Sequence, residues 1–202
     1  MRKMLTGIKD VDRKILNELE DVDLVKACQV NKHAHSICKD QVFWMNRVFQ
    51  RYDYVPADVL RKYKGERSWS DYYIHDLRNV NKDSLINGSK HERLDHVIIA
   101  LKNGANIHAD DDYALRYSSQ NGHLEVVKFL VENGANIHAQ NDYALQLSRA
   151  NGHLDTVKFL VEKGANIHAD NDWALRYSSH NGHLDVVKFL VENGANIHTV
   201  KK

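Results

Sequence analysis

The chain has 202 residues, enough for one large domain or two small ones. Its 28 Lys+Arg stand against 27 Asp+Glu, a formal net charge of +1, and that balance argues against a dedicated nucleic-acid surface, which needs a clustered basic footprint. The longest strongly apolar run, VIIAL at 97–101, is far too short to cross a bilayer, and charges at 9, 10, 12 and 13 interrupt any secretory signal. Cys28 and Cys38 lack CxxC spacing, suggest no disulfide framework and fit a reducing compartment. A soluble protein of the cytoplasm or nucleus is expected, with neither nucleic acid nor membrane as a partner.

Residues 8–52 read IKDVDRKILNELEDVDLVKACQVNKHAHSICKDQVFWMNRVFQRY. Val11, Ile15 and Leu19 share one helical face, with Leu16 alongside. Leu24, Ala27, Cys28 and Val30 define a second short helix, and a third begins near His33 and leads into Phe43-Trp44. So small a helical unit buries too little surface to be robust alone, so a partner is expected to cover part of it.

The segment resembles an F-box: Ile15-Leu16-xx-Leu19, then Asp23-Leu24, then ACQVNK at 27–32, then Trp44. It departs at its opening, where the family's Leu-Pro is Gly7-Ile8; the chain's single proline is Pro56. The resemblance implies docking onto the Skp-type adaptor of a cullin–RING ubiquitin ligase through Val11, Ile15, Leu16, Leu19, Leu24 and Val30. The F-box-like domain is taken as 1–52. Residues 53–78 follow as a helical linker, in which RKYKGER (61–67) is a solvated face and Trp69, Tyr72 and Tyr73 serve packing.

Beyond the linker the chain repeats itself. GANIH recurs at 104–108, 134–138, 164–168 and 194–198, a strict spacing of 30 residues. Three units, 109–138, 139–168 and 169–198, share 20 of their 30 positions, and a degenerate unit at 79–108 precedes them. Each predicts two short helices. The first runs about from Tyr113 to Gln120, with Asp112 at its N-cap and Gly122 beyond its end. The second runs about from Leu124 to Asn133, stopped by Gly134, with Leu124, Val127, Leu130 and Val131 as its buried face. One unit cannot bury that face alone, so neighbours must stack.

NGHLEVVKFLVENGANIHA (121–139) is similar to the second helix and following turn of the ankyrin repeat. The resemblance covers about 120 residues and implies an all-α chain: an N-terminal F-box-like three-helix unit, then an ankyrin solenoid capped by 79–108. Because the unit is 30 residues, its inter-repeat hairpin loops should be short, and Tyr113-Ala114-Leu115-Arg116 replaces the family's Thr-Pro-Leu-His. Together the halves resemble F-box and ankyrin proteins of poxviruses and giant DNA viruses. The DYALR-type opening resembles those of mimivirus-like giant viruses in particular.

Thirteen histidines raise the question of a metal. His123, His153 and His183 occur once per unit, as do His108, His138, His168 and His198. Packed helices lie about 10 Å apart, too far for equivalent histidines to share an ion with bonds of about 2.0–2.1 Å. These histidines are expected to fix turns. Cys28, His33, His35 and Cys38 match no common zinc spacing, and Asp110-Asp111-Asp112 lacks the alternating ligands of a calcium loop. With no Gly-rich phosphate loop, GxSxG or HExxH, neither catalysis nor a metal or cofactor is expected.

Specificity should lie where the units differ. Seven of the ten variable positions fall between 110 and 120 or their equivalents. In the ankyrin resemblance these residues line a concave face that binds a target protein. Its expected occupants are Asp110, Asp111, Tyr113, Arg116, Tyr117 and Gln120, then Tyr143, Gln146 and Leu147, then Trp173, Arg176, Tyr177 and His180. The array stops at Thr199-Val200-Lys201-Lys202, which predicts fraying of 184–202 or self-association through that end. An adaptor joining target to ligase, or an interaction module whose first helices merely cap the array, remain the two readings.

Overall fold

The computed structural model describes residues 9–169 and 173–195, apart from the side chains of 9–11, 21, 22, 25 and 173–176. Among the described residues there are helices and no strands, as the hydrophobic periods require. The chain divides into two units, Met1–Val80 and Asn81–Lys202. Segment 53–78, expected as a separate bridge, falls within the first.

The first unit begins with α1 (Lys9–Asn17), α2 (Asp21–Val30), α3 (Lys32–Cys38) and α4 (Gln41–Arg51). Short helices leave their end groups unbonded, and side chains supply the partners. Asn31 ends α2 and caps α3, accepting from the amides of His33 at 2.9 Å and Ala34 at 3.0 Å. Asp40 caps α4 through the Val42 amide at 2.8 Å and pairs with Arg13 of α1. Beyond the end of α1, buried Arg47 donates to the carbonyls of Asn17 at 2.8 Å and Leu19 at 2.7 Å. Phe43, Trp44, Arg47 and Val48 form the buried stripe of α4.

Helix α5 (Ala57–Lys64) follows Pro56 and stops at Gly65, whose φ of 56° suits glycine. Then α6 (Trp69–Asp71), capped by Ser68, runs into a π-helical turn at Tyr72–Leu77, closed by the Arg78 amide donating to the Tyr73 carbonyl at 3.0 Å. That turn carries Tyr72, Tyr73 and Leu77 into the core, and Tyr73 lies 5.5 Å from Trp44, ring centre to ring centre. Of the linker aromatics expected to pack, Tyr72 and Tyr73 are core, while Trp69 is half-buried with its ring centre 5.2 Å from that of Phe49.

The free state expected for the cysteines is corrected: Cys28 and Cys38 form a disulfide. Their ten-residue separation spans the Asn31 turn, where α3 folds back on α2 and brings the two Cα atoms within 6.0 Å. That distance is ordinary for a disulfide. Spacing alone concealed it, because the pairing depends on the angle of the turn.

The second unit stacks helix pairs in two layers. First helices α7 (Ser84–Lys90), α9 (Ala109–Gln120), α11 (Ala139–Ala150) and α13 (Trp173–His180) pack on one another. Second helices α8 (Leu94–Lys102), α10 (Leu124–Glu132), α12 (Leu154–Glu162) and α14 (Leu184–Glu192) do the same. Val126, Val127 and Leu130 are buried on α10, while Leu124 and Val131 are only half-buried, so the core face is rotated from the expected one. Each second helix ends in a Schellman turn: Gly134 sits at φ 98° and the Ala135 amide donates to the Leu130 carbonyl at 3.0 Å.

The shortened loop between repeats is a left-handed turn. Asp110, Asp111 and Asp112 have φ of 52°, 55° and 58°, and Gln140, Asn141 and Asp142 have 49°, 60° and 58°. This backbone costs an L-residue roughly 1–2 kcal/mol, with Asp and Asn the most tolerant. Side chains offset the cost. Arg116 donates to the carbonyls of Asp111 at 3.0 Å and Asp110 at 2.6 Å, and Gln146 donates to that of Asn141 at 2.8 Å. Asp112, expected to cap its own helix, instead accepts from the Asn136 amide at the far end of its own unit at 2.7 Å and from His108 of the preceding unit at 3.1 Å. Asp142 repeats this with Asn166 at 2.9 Å and His138 at 2.9 Å. The left-handed turn aims the carboxylate at the loop that closes its own unit.

Candidate interaction surfaces

The six expected adaptor-contact residues of the first unit are not equivalent. Leu16 and Leu24 are fully buried in the unit's own core. Their expected role as contacts is corrected, because a side chain without exposed surface cannot meet a partner unless the unit opens. Ile15 and Leu19 are half-buried, Val30 is 83% exposed, and Val11 lies outside the described side chains. Val42, 52% exposed on α4, is a second uncovered apolar side chain that periodicity had not singled out. The set combined core and surface because one helical stripe serves both.

Of the candidate metal cluster, Cys28 and Cys38 are bonded to each other, and His33 pairs with buried Asp12 at 2.9 Å. Among the described residues, no group of three or more His, Cys, Asp or Glu side chains could hold a metal ion.

In the second unit the structure sorts the expected contact residues by what they touch. Asp110, Asp111, Gln120 and His180 are exposed, and Tyr113, Tyr117 and Leu147 are half-buried. Tyr143 is 36% exposed and Tyr177 44%. Gln146 is only 5% exposed, which corrects its assignment: it holds its left-handed turn. Arg116 does the same for its own turn and also donates to Gln140 at 3.1 Å. The Arg/Gln variation at this position keeps an N–H donor, and that was the overlooked signal. The side chains of Trp173 and Arg176 lie outside the described residues.

What remains is a ladder of rings and cations on the first helices. Tyr113 and Tyr117 meet edge to face at 4.4 Å between centres. Arg116 lies 5.0 Å from the centre of Tyr113 and 5.9 Å from that of Tyr143. Lys90 stands 5.9 Å from Tyr117; its phase-equivalence with Gln120, Ala150 and His180 could have found it. A hydrogen bond to Tyr117 raises the Tyr113 phenol above its ordinary pKa, with burial and the Tyr117 charge adding to the effect. The array thus presents aromatic surface with fixed cations, the residue types enriched where proteins bind one another.

The repeat histidines bond across the stack. His123, His153 and His183 place Nε2 at 2.9, 2.9 and 3.1 Å from the carbonyls of Lys90, Gln120 and Ala150, so Nε2–H donates to the preceding repeat. On α14, Leu184 is 73% exposed, and residues 196–202 of the array's end, His198 included, lie outside the described residues. Within 184–202, where fraying or self-association was expected, α14 is formed over Leu184–Glu192.

The family model for the F-box domain matches residues 13–46, and two models for ankyrin repeats match 112–161 and 138–201. The chain carries an F-box and an array of ankyrin repeats. The F-box match spans α1 to α4, and the ankyrin matches span the strict 30-residue units. Both are interaction modules, typically non-enzymatic. No curated protein matches the chain. No helix among the described residues is long and apolar enough to cross a membrane.

Proposed function

We propose that the protein is a non-catalytic adaptor: the F-box docks the Skp-type subunit of a cullin–RING ubiquitin ligase, and the ankyrin first helices hold a protein target. The observation that carries this is the F-box match over α1–α4 on a unit that leaves Val30 83% exposed. Ile15, Leu19 and Val30 are the apolar side chains with surface to offer, and Val11 belongs with them by periodicity. On the array, Tyr113, Tyr117, Tyr143 and Tyr177 with Arg116 form the target-facing set. The 30-residue unit and its DYALR-type opening support a giant-virus source, whose ligase partner would be the host's.

A second reading is favoured by the burial of Leu16 and Leu24: the F-box helices serve the chain's own folding, and the array acts without a ligase. Co-expression with a Skp-type adaptor separates the two. The wild-type chain should co-purify, and Val30→Asp should weaken the complex about tenfold or more while its circular dichroism is unchanged, since an exposed substitution perturbs stability by about 0.5 kcal/mol or less. A folded wild-type chain that forms no complex refutes the adaptor reading.

A further inference from the structure

Beside the disulfide, a cavity of about 510 Å³ opens in the first unit. Cys28, Cys38, His35, Lys39, Trp44 and Asp71 are among its lining residues. Both cysteines are half-exposed, so the sulfurs are not sealed in the core. A disulfide that borders a solvent-reaching cavity differs from a structural one, because exchange requires a thiolate to reach one of its sulfurs. The Lys39 ammonium shares the cavity with His35 and one carboxylate, Asp71, and a neighbouring cation favours the thiolate form of a cysteine.

The surroundings of the bond also hold without it. Asn31 caps α3 with two amide bonds, and His35 Nδ1 stands 3.2 Å from the Cys28 carbonyl, tying α3 to α2. Trp44 Nε1–H donates to the Cys38 carbonyl at 2.6 Å and fixes the end of α3. With these ties in place the two thiols stay facing each other after reduction, so the bond can re-form without refolding the unit. We propose that Cys28–Cys38 is a reversible thiol–disulfide site, reached through this cavity, whose reaction partner is a small anionic thiol or its disulfide, of the glutathione type.

In the oxidising direction, the thiolate of one protein cysteine attacks a sulfur of the small disulfide, forming a mixed disulfide and releasing one small thiolate. The second protein thiolate then attacks the protein sulfur of that mixed bond, closing Cys28–Cys38 and releasing a second small thiolate. Two electrons pass from the protein dithiol to the small disulfide, and the two thiol protons end on the released thiols. Reduction is the same sequence reversed. The turn that the pair spans also carries Val30, two residues beyond Cys28.

The test equilibrates the full-length native chain in glutathione buffers from fully reduced to fully oxidised, quenches with an alkylating agent, and reads thiol state by mass. The native pair should interconvert completely, at a rate within about tenfold of the same chain in denaturant. Hydrogen exchange of α2 and α3 amides should be faster in the reduced form, while circular dichroism shows both forms folded. Cys28→Ser should leave Cys38 to accumulate a stable mixed disulfide with glutathione, and Cys38→Ser the converse. Native exchange more than about tenfold slower than in denaturant, or single variants that take up no glutathione while folded, overturns the proposal.

Discussion

Gly152 tests the reasoning about how repeats join. It sits at φ 78°, and a Cβ there would lie 2.5 Å from Nδ1 of His183, the side chain that donates to the Ala150 carbonyl at 3.1 Å. Gly152→Ala therefore incurs two costs. The left-handed backbone accounts for about 1 kcal/mol. The His183 ring must also retreat by about an ångström, giving up an inter-repeat hydrogen bond of about 1 kcal/mol. Gly182 has nearly the same φ, 75°, but a Cβ there would meet nothing within 4 Å, so Gly182→Ala should incur the backbone cost alone. Denaturant unfolding should give about 2 kcal/mol for the first and about 1 kcal/mol for the second. Terminal repeats contribute unequally to unfolding, so the decisive measurement is a cycle with His183→Ala. Once the ring is gone the clash is gone, and the double variant should be about as stable as Gly152→Ala alone. Strict additivity of the two single effects would refute the claim that glycine is there to admit the histidine.

The Asp142 carboxylate gives a second case. Asp142→Ala should cost about 1.5–3 kcal/mol, because the Asn166 amide and His138 both lose a charged acceptor, whereas Asp142→Asn retains an acceptor and costs less; hydrogen exchange at Asn166 reports the loss directly. Replacing Tyr117 by Phe removes the hydroxyl that holds the Tyr113 proton, so phenolate absorbance should show Tyr113 titrating at lower pH than in wild type. An unchanged titration would assign its raised pKa to burial instead.

Much of this was legible beforehand. Gly134 was read from the strict repeat as the residue that stops the second helix, and Val127 and Leu130 as core, because turn chemistry and periodicity are local rules. The errors share one cause. Asp112 bonds the far end of its own unit and His108 of the one before, Gln146 folds back onto its turn, and Leu16 and Leu24 lie inside. Each outcome depends on where a side chain points after the backbone has turned, and a left-handed turn of three residues has no signature in hydrophobic period. The disulfide escaped for the same reason: ten residues of spacing say nothing about the angle between α2 and α3.

The constant and variable parts of the unit can now be explained by the reach of their bonds. Asp112 bonds His108 of the preceding unit as well as Asn136 of its own, and His153 reaches 33 residues back to Gln120, so each ties its unit to the one before. A change at such a position must be matched in the neighbouring unit, and Asp112, Gly122, His123 and Asn136 are identical to their equivalents in all three strict units. Arg116 and Gln146 chiefly bond carbonyls of their own turn, so one can replace the other without involving a neighbour. Tyr117, Leu147 and Tyr177 vary at positions that keep exposed surface. Thr156 at the buried position of Val126 and Val186 is the exception, an exchange of similar shape that fits the same space. Selection for a target can therefore act on the first-helix face while the bonds that hold the stack stay fixed, which is what a recognition array requires of its scaffold.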